Sequence, residues 1–247
     1  MLPEITVEEL SMGLDAVVMD VLDQVAVEGP PVDAVTLAHR LGITVAVDAR
    51  QPVRARYVRL SGARGRRARA AIVLRPEPRA ERLQWALAHE IGEHVVHRVF
   101  AALGVDARQT GPEARESVAN HLAGRLLLPG PWFAADGAEC GWDLSRLKAR
   151  YTTASHELIV RRMLELPPPV IISIFDQGQL YFRRSNVPGR APAPSPAEIR
   201  CWRVVHERGR AHRVRHEMRL IQGWPVHEEG WKREILRTEL ETGMDCC

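Results

Sequence analysis

Between positions 87 and 97 the chain reads Leu-Ala-His-Glu-Ile-Gly-Glu-His-Val-Val-His. His89 is followed at once by Glu90, and a second metal-capable side chain, Glu93, stands four residues after His89. On a helix, residues four apart lie one turn apart on the same face, so His89 and Glu93 reach one ion. Glu90, about 100° round the helix, reaches a water on that ion. The spacing is that of the HExxH zinc helix, with Glu in place of the second His. The chemistry it points to is hydrolysis. Glu90 is the general base that takes a proton from an activated water and passes it to a leaving amine.

Hydrolytic zinc needs three protein ligands and one open position. Glu116 is the best candidate for the third. It lies in the second turn of a following helix, at the edge of the apolar face that includes Ala119 and Ala123. The remaining histidines fit less well. His94 is five residues from His89, about 140° round the helix, and His97 is about 12 Å along the axis. His121 is similarly off the face of Glu116. The set is then one imidazole and two carboxylates, His89, Glu93 and Glu116. Its extra negative charge makes a bound ion a weaker Lewis acid than neutral ligands would. Zn²⁺ is the expected metal, and Mn²⁺ or Fe²⁺ also suit so carboxylate-rich a set.

The elements that must hold these residues are legible from periodicity. Leu10, Leu14, Val17, Val18, Val21, Leu22 and Val25 predict a helix over 6–28, stopped by Pro30 and Pro31. A short helix, Val32 to Leu41, closes at Gly42, and Ile43 to Val47 is a strand. Tyr57–Leu60 and Ala71–Leu74 are two more strands, joined by a mobile loop at Ser61 to Arg67. A long helix from Arg79 to Phe100 carries the motif. Thr110-Gly111-Pro112-Glu113 starts the next, with Thr110 as N-cap, and it runs to Leu128. Asp143–Arg150 and Ser155–Leu166 are two helices across a tight turn, in the manner of a helix-turn-helix. Val170–Phe175 and Leu180–Arg183 flank Asp176-Gln177-Gly178-Gln179 as a β-hairpin. Val187–Pro196 is a Pro-rich linker, and Ser195-Pro196-Ala197-Glu198 starts another helix. The tail holds Trp202, Trp224 and Trp231, too much aromatic surface for a disordered segment.

Composition excludes several classes. With 247 residues, 26% charged and 45% hydrophobic, the chain is an ordinary globular protein of one or two domains. A net charge of +3 is too small to argue for nucleic acid. From Arg50 to Arg82 there are eleven Arg against two acids, Glu77 and Glu81. With only Lys148 and Lys232 as lysines, this Arg bias reads as composition, with a basic rim for an acidic peptide or nucleic acid as the functional alternative. Cys140, Cys201, Cys246 and Cys247 form no CxxC pair, so neither a disulfide scaffold nor a Cys-rich zinc ribbon is expected. No signal peptide or membrane span is visible, and the expected location is the cytoplasm.

Three segments together resemble the ImmA/IrrE family of zinc metallopeptidase-like regulators. The first is Trp85 to Gly92 continuing to His97, close to LAHELGHxxxH. The second is Glu116-Ser117-Val118-Ala119-Asn120-His121-Leu122-Ala123 running into Leu126-Leu127-Leu128-Pro129, close to ExxAN…A…LLxP. The third is Leu144 to Met163, where some members have a helix-turn-helix. The resemblance covers roughly residues 30 to 185. It implies that His89 and Glu116 are zinc ligands and Glu90 the catalytic base. Glu93 stands where the family has its second His, so its ligand role rests on spacing alone.

The expected fold is α+β and mainly helical. A zincin-like, metallopeptidase-like domain with a small β-sheet occupies residues 1–135. A helix-turn-helix-like pair with the β-hairpin occupies 136–187, and the linker with a Trp-rich helical or strand segment occupies 188–247. The expected function is a metal-dependent endopeptidase cleaving a protein substrate such as a transcriptional repressor. The alternative is a regulatory or DNA-binding protein on a catalytically weak scaffold, with Ser155, His156, Arg161 and Arg162 meeting phosphates or bases. A third reading is an adaptor that binds a partner through Trp224, His227, Glu228 and Trp231.

Overall fold

A computed structural model of the chain describes residues 5–60, 69–106, 108, 110–217 and 219–240. The loop expected at 61–67 lies outside the described residues. The chain is mixed α and β, and divides into two compact units. One comprises residues 1–136 with 149–155, the other 137–148 with 156–247.

In the first unit α1 (Val7–Gln24) starts at a capping box. Thr6 Oγ1 accepts from the Glu9 amide at 3.1 Å, and Glu9 accepts from the Thr6 amide at 2.8 Å. Its apolar stripe Leu14, Val17, Val18, Val21 and Leu22 is buried. The short α2 (Ala34–Arg40) is capped by Asp33 and ends before Gly42, whose φ of 73° is the left-handed conformation expected of glycine there. Strands β1 (Ile43–Val47), β2 (Ala55–Leu60) and β3 (Arg69–Leu74) form a three-stranded sheet in the order β1-β3-β2. β1 runs parallel to β3 and β2 antiparallel to it, which leaves β2 at one edge.

The motif helix is α3 (Ala80–Ala102), and its buried face runs through Leu87, Ala88, Ile91, Val95 and Val99. Gln84 pins its start to α2, accepting from the Ala34 amide at 2.7 Å and donating to Asp33 at 2.6 Å. Helix α4 (Pro112–Leu127) begins one residue later than the capping pattern suggests. Gly111 is the N-cap, with no side-chain cap bond, and Pro112 follows at the first helical position. Proline fixes φ at a helical value and has no amide to satisfy, so the helix starts at it rather than at Thr110. Arg125 on α4 is 4% exposed and ion-pairs with Asp15 of α1 at 3.2 Å.

α5 (Gly130–Cys140) was not evident in the sequence, because Pro129-Gly130-Pro131 reads as a breaker. α6 (Leu144–Arg150) and α7 (His156–Met163) are two short helices that follow in succession. On α7, Arg162 is 2% exposed and bonded to Glu165, while Arg161 pairs with Glu157 and lies 4.1 Å over the Phe182 ring. The expectation that Arg161 and Arg162 jointly face a nucleic acid is corrected for Arg162, which the fold buries.

The hairpin strands β4 (Val170–Asp176) and β5 (Gln179–Ser185) join three strands from the tail: β6 (His212–His216), β7 (Arg219–Glu228) and β8 (Trp231–Glu239). Together they form one antiparallel sheet in the order β5-β4-β8-β7-β6. α8 (Pro196–Arg208), opened by the Ser195–Glu198 capping box, lies against it over Phe175, Ala197, Cys201, Ile221 and Leu236. Trp202 stacks on Phe175 at 5.0 Å and donates to Glu234, which is wholly buried and also bonded by His206 and His227.

Candidate metal centre

The site is built where α3 and α4 come unusually close. A Cβ at Gly92 would sit 2.8 Å from the Ala119 carbonyl oxygen, so only glycine permits this approach. Gly92 lies just before Glu93 and one turn after His89. The close contact therefore brings the polar edge of α3 against Glu116, one turn before Ala119.

His89, Glu93 and Glu116 converge. One donor atom from each lies within 4.8 Å of the others. His89 Nε2 and Glu116 Oε2 are 3.6 Å apart. Tetrahedral ligands at zinc bond lengths sit about 3.3 Å from one another, so small side-chain rotations would close this group on a divalent cation. His89 and Glu93 are mostly buried, whereas Glu116 is exposed. His94, His97 and His121 are not part of the group.

Asn120 holds two of the three in place. Its Oδ1 lies 3.1 Å from His89 Nδ1, and its Nδ2 donates to Glu116 Oε1 at 3.2 Å. This network assigns the proton to Nδ1 and leaves the Nε2 lone pair facing Glu116, the tautomer a metal ligand requires. Asn120 was visible in the sequence as Glu116+4, but spacing alone did not disclose that it bridges both ligands.

Glu93 has a second partner that the sequence did not announce. Arg115, next to Glu116 on α4, donates from Nε to Glu93 Oε2 at 2.7 Å and from Nη2 to the Glu93 carbonyl at 3.2 Å. A carboxylate has two oxygens, so one can face the cation while the other keeps the guanidinium. Arg115 offsets one of the two ligand charges and draws electron density from Glu93, which makes it a weaker donor than an unpaired carboxylate.

Glu90 sits beside the group, as its position after His89 requires. It accepts from the Tyr57 amide of β2 at 2.6 Å, which places the edge strand across the site. Burial raises its pKa above the ordinary glutamate value. The Tyr57 hydrogen bond and His89 pull it down, and Glu93 and Glu116 add to the rise. A carboxyl group tuned upward in this way is better suited to accept and return a proton near neutrality. The Tyr57 hydroxyl pairs with His94 Nδ1 at 2.8 Å, so His94 belongs to the wall of the site. Burial, with the charges of His97, Arg98 and Arg59, lowers the His94 pKa.

The donor set of one imidazole nitrogen and two carboxylates fits a divalent cation. Such an ion would supply Lewis acidity and lower the pKa of a bound water. The other parts of the chemistry belong to this chain. Asn120 orients His89 and Glu116, the close helix contact sets their separation, and Glu90 is the carboxyl group beside them that is placed to hold a proton.

The fold and this centre define a peptidase-like protein of the IrrE type. The model of the peptidase M78 family, described as the IrrE N-terminal-like domain, matches residues 38–163, and the chain belongs to this family. Among solved structures it is similar to a Mycobacterium tuberculosis transcriptional regulator. The TM-score is 0.62 at 19% identity, over 92% of this chain and 75% of that one. No curated protein matches the sequence.

Proposed function

We propose that the protein is a metal-dependent endopeptidase in which His89, Glu93 and Glu116 hold a divalent ion, Zn²⁺ first and Mn²⁺ or Fe²⁺ as alternatives. Glu90 is the general base. The observation that carries this reading is the convergence of those three side chains within 4.8 Å, with Glu90 beside them. The substrate class, a regulatory protein such as a transcriptional repressor, is carried over from the ImmA/IrrE resemblance. A cytoplasmic site of action belongs to the same reading. Among the described residues no helix is long and apolar enough to cross a membrane.

The test is Glu90→Gln in the metal-loaded protein. Metal content should stay near one equivalent, while hydrolysis of fluorescently labelled casein or of a candidate repressor falls by a factor on the order of 10² to 10⁴. Equal cleavage by both forms would remove Glu90 from the chemistry.

One observation favours a second reading, in which the scaffold regulates without cleaving. Glu93 is engaged by Arg115 at 2.7 Å, and this ion pair competes with any cation for the carboxylate. Under that reading Glu93→His creates metal binding where the natural chain has none. Under the peptidase reading the natural chain already binds, and Glu93→His only tightens it.

A further inference from the structure

Glu93 belongs to two surfaces. One of its oxygens joins the cation group. Its side chain also forms one wall of a cleft of about 300 Å³ that continues away from His89 between β2, α3 and α4. That volume is at the small end for ligand sites and suits a single side chain rather than a folded partner. Tyr57 and Arg59 enter from β2. They are two residues apart, so they share one face of the strand. His94 and His97 enter from α3 and Arg115 from α4. Phe100, nearly buried, adds an apolar surface.

The charges in this cleft do not balance. Two permanent cations, Arg59 and Arg115, face one carboxylate, Glu93, and that carboxylate is already bonded to Arg115. Among the described residues neither Arg59 nor His97 makes an ion pair. His94 spends its Nδ1 on the Tyr57 hydroxyl. The cleft is thus a small concave site with one acid already paired and a guanidinium left over, directly beside the group that would perform hydrolysis. An anionic side chain placed there would gain charge-assisted bonds that a neutral isostere lacks.

We propose that this cleft is a specificity subsite for an acidic side chain of the substrate, with Arg59 as the residue that reads its carboxylate and Arg115 as the second contact. The assignment of the occupant to a peptide substrate rests on the peptidase reading. The preference for a carboxylate rests on the cleft itself. Arg59 is a specificity determinant and takes no part in the proton transfers assigned to Glu90.

The two readings are separated by measuring the subsite without the metal as well as with it. In metal-free protein carrying isotope-labelled histidine, the His97 ring signal, assigned with His97→Gln, is followed during titration with acetyl-Ala-Glu-Ala-amide. The Gln and Lys peptides and sodium acetate serve as comparisons. The Glu peptide should shift the signal at about tenfold lower concentration than the Gln peptide, with acetate weaker than the Glu peptide. Arg59→Gln should abolish the preference and Arg59→Glu should transfer it to the Lys peptide. In the zinc-loaded protein, cleavage of the corresponding longer peptides should follow the same order. A Glu preference without any cleavage would leave the subsite standing and sink the peptidase reading. Equal responses to Glu and Gln peptides, or an acetate response matching the Glu peptide, would overturn the subsite whether or not the protein cleaves. Arg59 is exposed on an edge strand, and an unchanged unfolding transition in its variants keeps a folding defect from imitating the result.

Discussion

Asn120 is the residue through which the centre is oriented, since it decides which nitrogen of His89 is free and steadies Glu116 with the same amide. Asn120→Ala should lower divalent-metal affinity by roughly 10- to 100-fold with little loss of stability, read by competition with a chromogenic chelator. Arg115 acts in the opposite sense. Arg115→Gln frees the Glu93 carboxylate and should raise affinity in the same assay. Glu90 makes stability depend on pH. Its folded pKa lies above the ordinary value of 4.5, so the folded metal-free protein keeps this proton where the unfolded chain has released it. The Glu90 contribution to stability therefore falls as pH rises from about 4.5 through the raised value, and is constant above it. Glu90→Gln should remove that fall, measured by urea unfolding in chelator across pH 4 to 8. Of this site, the convergence of His89, Glu93 and Glu116 was legible, because residues four apart share a helix face and the following helix carries Glu116 at the edge of its packing face. Arg115 was not, because a charged residue at a helix surface has no sequence mark that says which neighbour it will meet.

At the scale of the elements, the close contact of α3 and α4 is what converts two motifs into one centre. Gly92→Ala tests it. An alanine at an exposed helix position would add up to about 1 kcal/mol. Here its Cβ would lie 2.8 Å from a backbone oxygen that no rotamer change can move, and overpacking of this kind costs about 1 to 3 kcal/mol. The net expectation is destabilisation, together with weaker metal binding as Glu116 moves away from His89, both measured on one preparation. Period and capping revealed α1, α2, α3, α8 and the β4–β5 hairpin in the sequence. Strands β6 to β8 were harder to read. β8 buries Glu234 and Arg237 among Ile235, Leu236 and Thr238, so its inward and outward positions do not alternate between apolar and polar.

In the molecule as a whole, each of the two compact units combines an apolar interior with buried charge. The unit that carries the centre packs Val18, Val21, Leu22, Leu87, Ile91 and Leu122 fully buried, and beside them buries Arg125 in its pair with Asp15. The unit built on the five-stranded sheet buries charge. Glu198, 3% exposed, accepts from Arg183 at 3.0 Å and from Thr238 at 2.6 Å, and caps its own helix through the Ser195 amide. Burial pushes its pKa up, but these hydrogen bonds and the Arg183 charge outweigh it and hold the pKa below the ordinary value. A depressed acid contributes stability above its unfolded pKa and loses it as pH falls through the folded one. Glu198→Gln leaves Arg183 without its carboxylate, and should cost about 3 to 5 kcal/mol near neutrality. The difference should shrink as pH falls below the unfolded glutamate value of 4.5 toward the depressed folded one, as compared by denaturant unfolding at pH 7 and pH 3. Such polar cores are hidden from hydropathy, which reads Arg183, Glu198 and Glu234 as surface.

The measurement that bears most directly on the centre is X-ray absorption at the metal edge, on protein loaded with one equivalent of Zn²⁺ and washed free of excess. The expected result is a stoichiometric ion with one imidazole nitrogen and carboxylate oxygens in its shell, lost in His89→Ala and altered in Glu116→Ala. No retained zinc, or a shell unchanged by either substitution, would contradict it.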